Sequence, residues 1–238
     1  MLKLFRKSLK TGTVTTDYPK TQNVPAPGFQ GLPEWQKQCC VQCSKCADVC
    51  PTKAITLQIG NKDTFWAVDS KKCIFCGYCV EVCKGALVQG GQYELAESAV
   101  VQAPQVQAFR HSIHIRHLDS GSCNACEWEM TTLTGPVYDI QRLGFDFVAS
   151  PRHADVLMVT GPVTRNLEIA VRKTFSATPA PKLVLAVGTC ACSGGICGKS
   201  YASSGGVDNI IPVDVFIPGC PPRPQALIQG LLKATGKA

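Results

Sequence analysis

Short apolar runs alternate with amphipathic segments in the second half of the chain. The runs have the length of buried β-strands and the segments between them have helical spacing, so strands and helices should alternate. The predicted strands are residues 111–118, 155–160, 183–187 and 213–217, with a shorter one near 145–149. The predicted helices are residues 127–133, 136–143, 164–175 and 224–234. This order predicts an α/β domain over residues 111–238, built on an open, largely parallel sheet with helices on both faces.

The first half of the chain is organised differently. Residues 1–38 form a basic lead with six Lys/Arg and two Asp/Glu, residues 39–90 contain nine cysteines, and residues 91–110 are a polar linker. The lead starts with LKLFRKSLK, where apolar and basic residues alternate. That pattern is typical of a short helix lying on a membrane surface or a membrane subunit, and a frayed terminus is the alternative.

Composition excludes several classes of protein. No stretch approaches 18 uninterrupted apolar residues, so we expect no membrane span, and the start of the sequence lacks the features of a secretory signal. Fifteen cysteines is an odd number, which fits a disulfide framework poorly. Without a secretory signal the expected compartment is the cytoplasm, where clustered cysteines stay reduced and usually bind metal. The net charge of +7 is not arranged as a basic stripe interleaved with aromatics, so no nucleic-acid partner is expected.

Two cysteine runs repeat one pattern within residues 39–90. The runs are Cys40, Cys43, Cys46 and Cys50 followed by Pro51, and Cys73, Cys76, Cys79 and Cys83 followed by Lys84. Their spacing, C-x2-C-x2-C-x3-C, is that of bacterial two-cluster ferredoxins, in which the fourth cysteine binds the other cluster. The predicted ligand sets of the two [4Fe–4S] clusters are Cys40, Cys43, Cys46 and Cys83, and Cys73, Cys76, Cys79 and Cys50. The spacing therefore predicts that residues 39–90 form a small α+β ferredoxin domain. The alternative is a pair of zinc knuckles. Cys39 is interpreted as a non-ligand.

Four further cysteines follow predicted strands of the second half. Cys123 and Cys126 come after strand 111–118, Cys190 after strand 183–187 and Cys220 after strand 213–217. Because the carboxyl ends of parallel strands share one edge of a sheet, these cysteines can converge on a third [4Fe–4S] cluster. Ordinary buried cysteines are the alternative, and Cys192 competes with Cys190 for the ligand role.

These motifs carry a resemblance that covers the whole chain. Residues 1–90 resemble the two-cluster ferredoxin-like subunit of formate hydrogenlyase. Residues 111–236 resemble the small subunit of group 4 energy-converting [NiFe]-hydrogenases, which is related to the 20 kDa subunit of respiratory complex I. The matching stretches are residues 121–129, 150–162, 188–195 and 218–222. The chain is thus similar to a fusion of two usually separate subunits, and the resemblance implies a flavodoxin-like second domain.

The resemblance also implies ligands, partners and a place in the cell. It assigns the third cluster to Cys123, Cys126, Cys190 and Cys220, which favours Cys190 over Cys192. It implies a nickel–iron site on a separate large subunit, membrane subunits of the same complex, and a peripheral position on the cytoplasmic side of the membrane. The electron donor would be a formate dehydrogenase, a carbon monoxide dehydrogenase or a ferredoxin.

Three alternatives to a hydrogenase remain open. Complex I proteins carry the first two ligands of this cluster as adjacent cysteines, whereas Cys123 and Cys126 are separated by two residues as in hydrogenases, which disfavours a quinone-reducing complex. A nickel-free relative of the hydrogenases and a ferredoxin-like carrier acting alone are the others.

Other polar residues are weaker candidates. Glu127 and Glu129 flank the third cluster; Glu129 could relay protons towards the large subunit, or a carboxylate there could simply stabilise a helix N-terminus. His111, His114 and His117 recur every third residue but are interleaved with apolar residues, which favours a strand over a metal-binding helix.

Overall fold

The computed structural model of the 238-residue chain describes residues 2–60, 64–83, 85–99 and 112–237. In chain order the elements are α1 Leu2–Thr11, β1 Pro33–Trp35, α2 Lys45–Asp48, β2 Ile55–Ile59, β3 Thr64–Val68, α3 Tyr78–Val82, β4 Leu87–Gln89, β5 Glu97–Ser98, β6 Ile113–Asp119, α4 Ala125–Leu133, β7 Phe145–Phe147, β8 Val156–Thr160, α5 Glu168–Ala177, β9 Leu183–Val187, α6 Gly188–Ser193, β10 Val215–Ile217 and α7 Pro224–Thr235. None of the helices in these ranges has the length and apolar character needed to cross a bilayer.

The second half is built on a six-stranded sheet in the order β5-β10-β9-β8-β6-β7. Every neighbouring pair is parallel except β5 and β10, so the predicted open parallel sheet is confirmed, with one antiparallel edge strand. All residues of the central strands β8 and β9 are buried. Strands covered on both faces need continuous apolar sequence, and this is why both were recognisable as apolar runs.

Helices cover the two faces of this sheet. One apolar cluster joins Ile113, Ile115 and Val187 to the buried residues of α7, including Leu227 and Ile228. The second cluster, on the other face, joins Leu157 and Val159 of β8 to residues of α5 and α6. The helix α7 begins with a proline and ends at Gly236 with φ 64°, which are the usual signals for the two ends of a helix.

Some predicted elements are shorter or shifted. Within 136–143 only Ile140–Leu143 is helical, as a 3₁₀ turn, because Asp139 has φ 43° and cannot continue a helix. The helix predicted from residue 164 begins at Glu168, because Thr164 forms a β-bridge with Ser203 instead. The helix α6 was not predicted, since its Gly-Thr-Cys-Ala-Cys-Ser sequence has no helical periodicity.

The cysteine-rich half is small. The antiparallel pairs β1–β4 and β2–β3 flank the short helices α2 and α3. Its apolar cluster contains two of the predicted ligands, Cys46 and Cys79, together with Ile55 and Leu87. The core of this half is therefore organised around cysteine side chains.

The lead and the linker join the two halves more closely than the sequence indicated. Tyr18 of the lead is buried in the core of the second half, and its hydroxyl donates to Glu94 at 2.6 Å. In the linker, β5 pairs with β10, and Glu97 accepts a hydrogen bond from the Ser70 hydroxyl at 2.6 Å. The region predicted as a linker thus fastens the cysteine-rich half to the sheet, while its residues 100–110 lie outside the described residues.

Candidate metal centres

The two cysteine runs fold into matching loops. In each run the residue before the second cysteine and the residue after it have left-handed backbone: Gln42 and Ser44 with φ 56° and 60°, Phe75 and Gly77 with φ 58° and 77°. Such φ values are unfavourable for residues other than glycine and tend to occur at functional sites. The repeated sequence pattern therefore produces a repeated loop geometry, and each loop leads into a short helix, α2 or α3.

The structure groups the twelve predicted ligands into three sets. The outer group is Cys40, Cys43, Cys46 and Cys83; the middle group is Cys50, Cys73, Cys76 and Cys79; the edge group is Cys123, Cys126, Cys190 and Cys220. Burial raises the pKa of the Cys83 thiol, and the charges of Cys46, Cys40 and Cys43 raise it further. Burial likewise raises the pKa of Cys73 to about 11, with contributions from Cys79, Cys50 and Cys76. The fourth cysteine of each run thus lies beside the other run, which is the arrangement that the exchange of fourth ligands requires.

Thiols of the middle group share one cavity. Its four cysteines line this cavity together with apolar side chains that include Ile55 and Val68. The backbone N–H of Ala54 donates to Cys50 Sγ at 3.2 Å, and that of Phe75 donates to Cys73 Sγ at 3.4 Å. Burial opposes ionisation of Cys50, but hydrogen bonds from Ala54 and Thr52 prevail and lower its pKa. An apolar cavity with four thiols and N–H donors aimed at sulfur fits an iron–sulfur cluster.

The edge group assembles where the strands of the sheet end. Cys123 and Cys126 follow β6, Cys190 lies in α6 directly after β9, and Cys220 follows β10. Burial raises the pKa of Cys126 far above its usual range, with contributions from Glu127, Cys190, Cys220 and Cys123. Gly188 has φ 84°, and a Cβ there would lie 2.5 Å from Cys126 Sγ. Only glycine lets the backbone pass this close to the sulfur.

Three cysteines fall outside these sets. Cys192 is buried and its Sγ lies 3.5 Å from the Ala186 carbonyl oxygen, on the apolar side of α6. Cys39 and Cys197 are exposed. Cys197 nevertheless contributes to the raised pKa of Cys190, so it lies near the edge group.

The middle and edge groups lie against each other. The Thr189 hydroxyl donates to the Cys73 carbonyl oxygen at 2.8 Å, and the Cys76 charge contributes to the raised pKa of Cys220. The Ser193 hydroxyl donates to the Lys71 carbonyl oxygen at 2.8 Å across the same boundary. The three groups therefore follow one another in the order outer, middle, edge.

Known proteins match both halves. The family model "NADH ubiquinone oxidoreductase, 20 Kd subunit" matches residues 123–234, and a 4Fe–4S dicluster domain matches residues 39–87. A probable membrane-bound hydrogenase subunit mbhJ of Pyrococcus furiosus is 47% identical over 51% of this chain and 72% of the relative. The chain belongs to the 20 kDa subunit family of NADH ubiquinone oxidoreductase. The family resemblance drawn from the sequence is thereby confirmed.

Two further relatives show the breadth of the 20 kDa subunit family. Formate hydrogenlyase subunit 7 of Escherichia coli is 41% identical over 58% of this chain and 54% of its own length. An NADH-quinone oxidoreductase subunit of Heliobacterium modesticaldum is 42% identical over 50% of this chain and 68% of its own length. The chain is therefore related both to subunits of hydrogenases and to subunits of quinone-linked complexes.

Glu129 lies beside the edge group in this member of the 20 kDa family. It lines a cavity of about 510 Å³ with Phe75, Cys220 and Arg223, which lie on both halves of the chain. Burial raises the pKa of Glu129, and the nearby Arg223 guanidinium partly opposes the shift. A proton-relay role for Glu129 stays a prediction.

Glu127 takes part in a polar network that the sequence did not reveal. Its Oε1 accepts hydrogen bonds from the hydroxyls of Ser122, at 2.8 Å, and of Thr160, and lies 3.3 Å from His117 Nε2. Burial lowers the pKa of His117 although Glu127 opposes the shift. His114 lies next to Asp155 instead, with 3.5 Å between His114 Nδ1 and Asp155 Oδ2, so the two histidines on β6 are not brought together. His111 lies outside the described residues.

No three His, Cys, Asp or Glu side chains in residues 2–60, 64–83, 85–99 and 112–237 are placed to hold a single metal ion. The cysteines fit a larger, multi-iron group by the chemistry of their donors: four thiols in each set, N–H donors to sulfur in the middle group, and a glycine cradle in the edge group.

We expect Cys83→Ser to remove the same cluster as Cys40→Ser, although the two positions lie in different runs. The physical reason is that Cys83 lies among Cys40, Cys43 and Cys46 and not among the cysteines of its own run. Iron per chain and the electron paramagnetic resonance (EPR) spectrum of the reduced protein measure the loss.

The matched control for this prediction is Cys39→Ser, which changes an exposed cysteine next to Cys40. The control should keep all its iron. Loss of the middle-group signal in Cys83→Ser would show that each run binds its own cluster.

Proposed function

We propose that this chain is the electron-transfer subunit of a membrane-associated [NiFe]-hydrogenase. Its outer, middle and edge groups would each hold one [4Fe–4S] cluster, so that the chain conducts electrons to a nickel–iron site on a partner large subunit. The observation that carries this proposal is the succession of three four-cysteine groups in a member of the 20 kDa subunit family. When bound, the clusters supply one-electron transfer.

The residues of the chain define the two ends of the path. Cys43 of the outer group is exposed, which suits an entry point for electrons from a formate dehydrogenase, a carbon monoxide dehydrogenase or a ferredoxin. The outer and middle groups are tied together by the exchanged cysteines Cys83 and Cys50. The middle group contacts the edge group through Thr189 and Cys73. The edge group is thus the exit.

The surface around the edge group exposes ligand cysteines and large apolar side chains. Cys123 and Cys220 are exposed, and the large apolar side chains Trp128 and Ile196, from the same cysteine-bearing segments, are 73% and 67% exposed. Exposed tryptophan is characteristic of the centre of protein interfaces. We infer that the hydrogenase large subunit covers this surface and shields the cluster from water.

The separation of Cys123 and Cys126 favours a hydrogenase over a quinone-reducing complex. Among the proteins that the chain resembles, the quinone-reducing complex I proteins have adjacent cysteines, whereas the hydrogenases have the C-x2-C arrangement. A relative named as a hydrogenase subunit, at 47% identity, supports the same choice. The relation to the NADH-quinone oxidoreductase subunit keeps a quinone-linked or nickel-free complex as the second candidate.

The helix α1 supports a position at the membrane surface. Helical spacing places Leu2, Phe5 and Leu9 on one side of the helix and gathers its four basic residues on the adjoining side: Lys3, Arg6, Lys7 and Lys10. None of its residues is buried, yet the chain just after it is fixed, since the Thr16 N–H donates to the Val137 carbonyl oxygen at 2.8 Å. A cationic amphipathic helix held at a fixed point suits an anionic lipid surface. We infer that the chain lies peripherally on the cytoplasmic side.

The proposed function is tested on the purified native complex, by H2 evolution from a reduced dye with nickel measured in parallel. We expect both nickel and H2. Iron without nickel, with quinone reduction in place of H2 evolution, would refute the hydrogenase assignment and favour the second candidate.

We expect Trp128→Ala to weaken binding of the large subunit while iron per chain stays unchanged. Truncating a central interface tryptophan typically costs at least about 2 kcal/mol, or about thirtyfold in affinity. Recovery of the large subunit with a tagged form of this chain measures the effect. Ile169→Ala, at an exposed position on α5, is the control; equal losses in both variants would count against the surface.

We expect Gln substitution of Lys3, Arg6, Lys7 and Lys10 to reduce flotation with phosphatidylglycerol vesicles by at least about tenfold, since each basic residue contributes about 1 kcal/mol near an anionic surface. The control carries Gln at four other exposed lysines, Lys20, Lys45, Lys173 and Lys199, which removes the same charge. Equal flotation of the two variants would exclude the lipid surface. Retention by the membrane subunits alone, without binding to vesicles, would also exclude it.

A further inference from the structure

We propose that Thr189 is a positioning residue that fixes the middle group of cysteines against the edge group and thereby sets the rate of electron transfer between them. The inference rests on the proposed function, because it concerns the step between two clusters. It goes further by naming the side chain that controls the step.

Thr189 contacts the backbone of three ligand-bearing loops. Its hydroxyl donates to the carbonyl oxygen of Cys73, in the middle group, at 2.8 Å. The same hydroxyl lies 3.2 Å from the carbonyl oxygen of Gly219, directly before Cys220 of the edge group. Its own peptide is joined to Cys190, and its N–H donates to the Gly219 oxygen at 2.8 Å. One residue therefore links the peptides of ligands in both groups.

Thr189 is only 1% exposed, so water cannot replace the hydrogen bonds of its hydroxyl. A buried hydroxyl or carbonyl that loses its partner destabilises the arrangement, so removing this hydroxyl would destabilise the contact between the two ligand loops. Valine has the same shape and lacks the donor, whereas serine keeps the donor.

The contacts of Ser193 and Lys71 across this boundary do not join a ligand peptide of the middle group to one of the edge group. The Ser193 hydroxyl donates to the Lys71 carbonyl oxygen at 2.8 Å and to the Thr189 carbonyl oxygen at 3.1 Å. Lys71 also lies 3.6 Å from Glu97 and 4.7 Å from the centre of the Phe216 ring. On the side of the middle group these contacts reach only Lys71, two residues before Cys73. Ser193→Ala is therefore a matched control that removes an interdomain hydrogen bond of the same length.

The experiment compares the full chain with its clusters and the variants Thr189→Val, Thr189→Ser and Ser193→Ala. Iron per chain is measured first. The magnetic interaction between the reduced middle and edge clusters is then read from the EPR spectrum, and the rate of electron transfer between them from flash photoreduction. The magnetic interaction depends on the distance and orientation of the two clusters, so a loss of general stability would not change it.

We expect Thr189→Val to keep its iron, to show a weaker magnetic interaction, and to transfer electrons about tenfold more slowly, because small misplacements of reacting groups reduce rates strongly. Thr189→Ser and Ser193→Ala should match the unmodified chain. Unchanged interaction and rate in an iron-replete Thr189→Val would overturn the proposal, and so would an equal loss in Ser193→Ala.

Two further outcomes remain informative. If Thr189→Val loses iron, Thr189→Ala replaces it in the experiment, because the smaller alanine side chain cannot crowd the two carbonyl groups. Iron loss in both variants would overturn the proposal and assign Thr189 to cluster binding. An unmodified chain without clusters would instead refute the proposed function, so the two failures are distinguishable.

Discussion

Thiols from distant parts of the chain converge into three groups, and this convergence shapes the loops, glycines and core around them. Four thiolates repel one another, and burial adds to the cost of ionising them, as the raised pKa values of Cys73 and Cys190, both about 11, illustrate. A bound cationic iron core, together with backbone N–H donors, would offset that cost, and for this reason metal binding and folding are coupled in such domains. The left-handed residues Gln42 and Phe75, the close approach at Gly188 and the small core around Cys46 all serve this convergence.

Placing both halves in one chain changes how the proposed electron path is maintained. In separate subunits the contact between the middle and edge groups would depend on association. Here the lead and the linker fasten the halves through Tyr18, Glu94 and Glu97. Thr189 completes the boundary at Cys73, and Ser193 adds a hydrogen bond to Lys71. The exposed side chains of Trp128 and Ile196 then lie on the exit side, which is consistent with a partner covering that side.

Much of this arrangement could be predicted from the sequence, for identifiable reasons. The apolar run at 183–187 is strand β9 to the residue, because a strand buried on both faces leaves a continuous apolar pattern. The exchange of Cys50 and Cys83 is a prediction from ferredoxin spacing, and in the structure each of these cysteines lies beside the other run. The edge group was predictable because parallel strands end at one edge.

The features that the sequence did not reveal depend on tertiary contacts. The strand β5 is two residues long and exists only because β10 offers an unpaired edge. The helix α6 forms in a Gly- and Ser-containing segment without amphipathic pattern, and Thr189 resembles any buried threonine until its partners are known. The Glu127 network joins residues up to 43 positions apart, from His117 to Thr160, so no local sequence pattern predicts it.

A chain that holds three clusters in succession has a defined iron and sulfide content. The most direct test is iron and acid-labile sulfide analysis of the anaerobically purified full chain, combined with an EPR-monitored redox titration. Three clusters in succession require about 12 iron and about 12 sulfide per chain, with three one-electron centres. About eight iron per chain with the edge-group cysteines unligated, or zinc in place of iron, would contradict it.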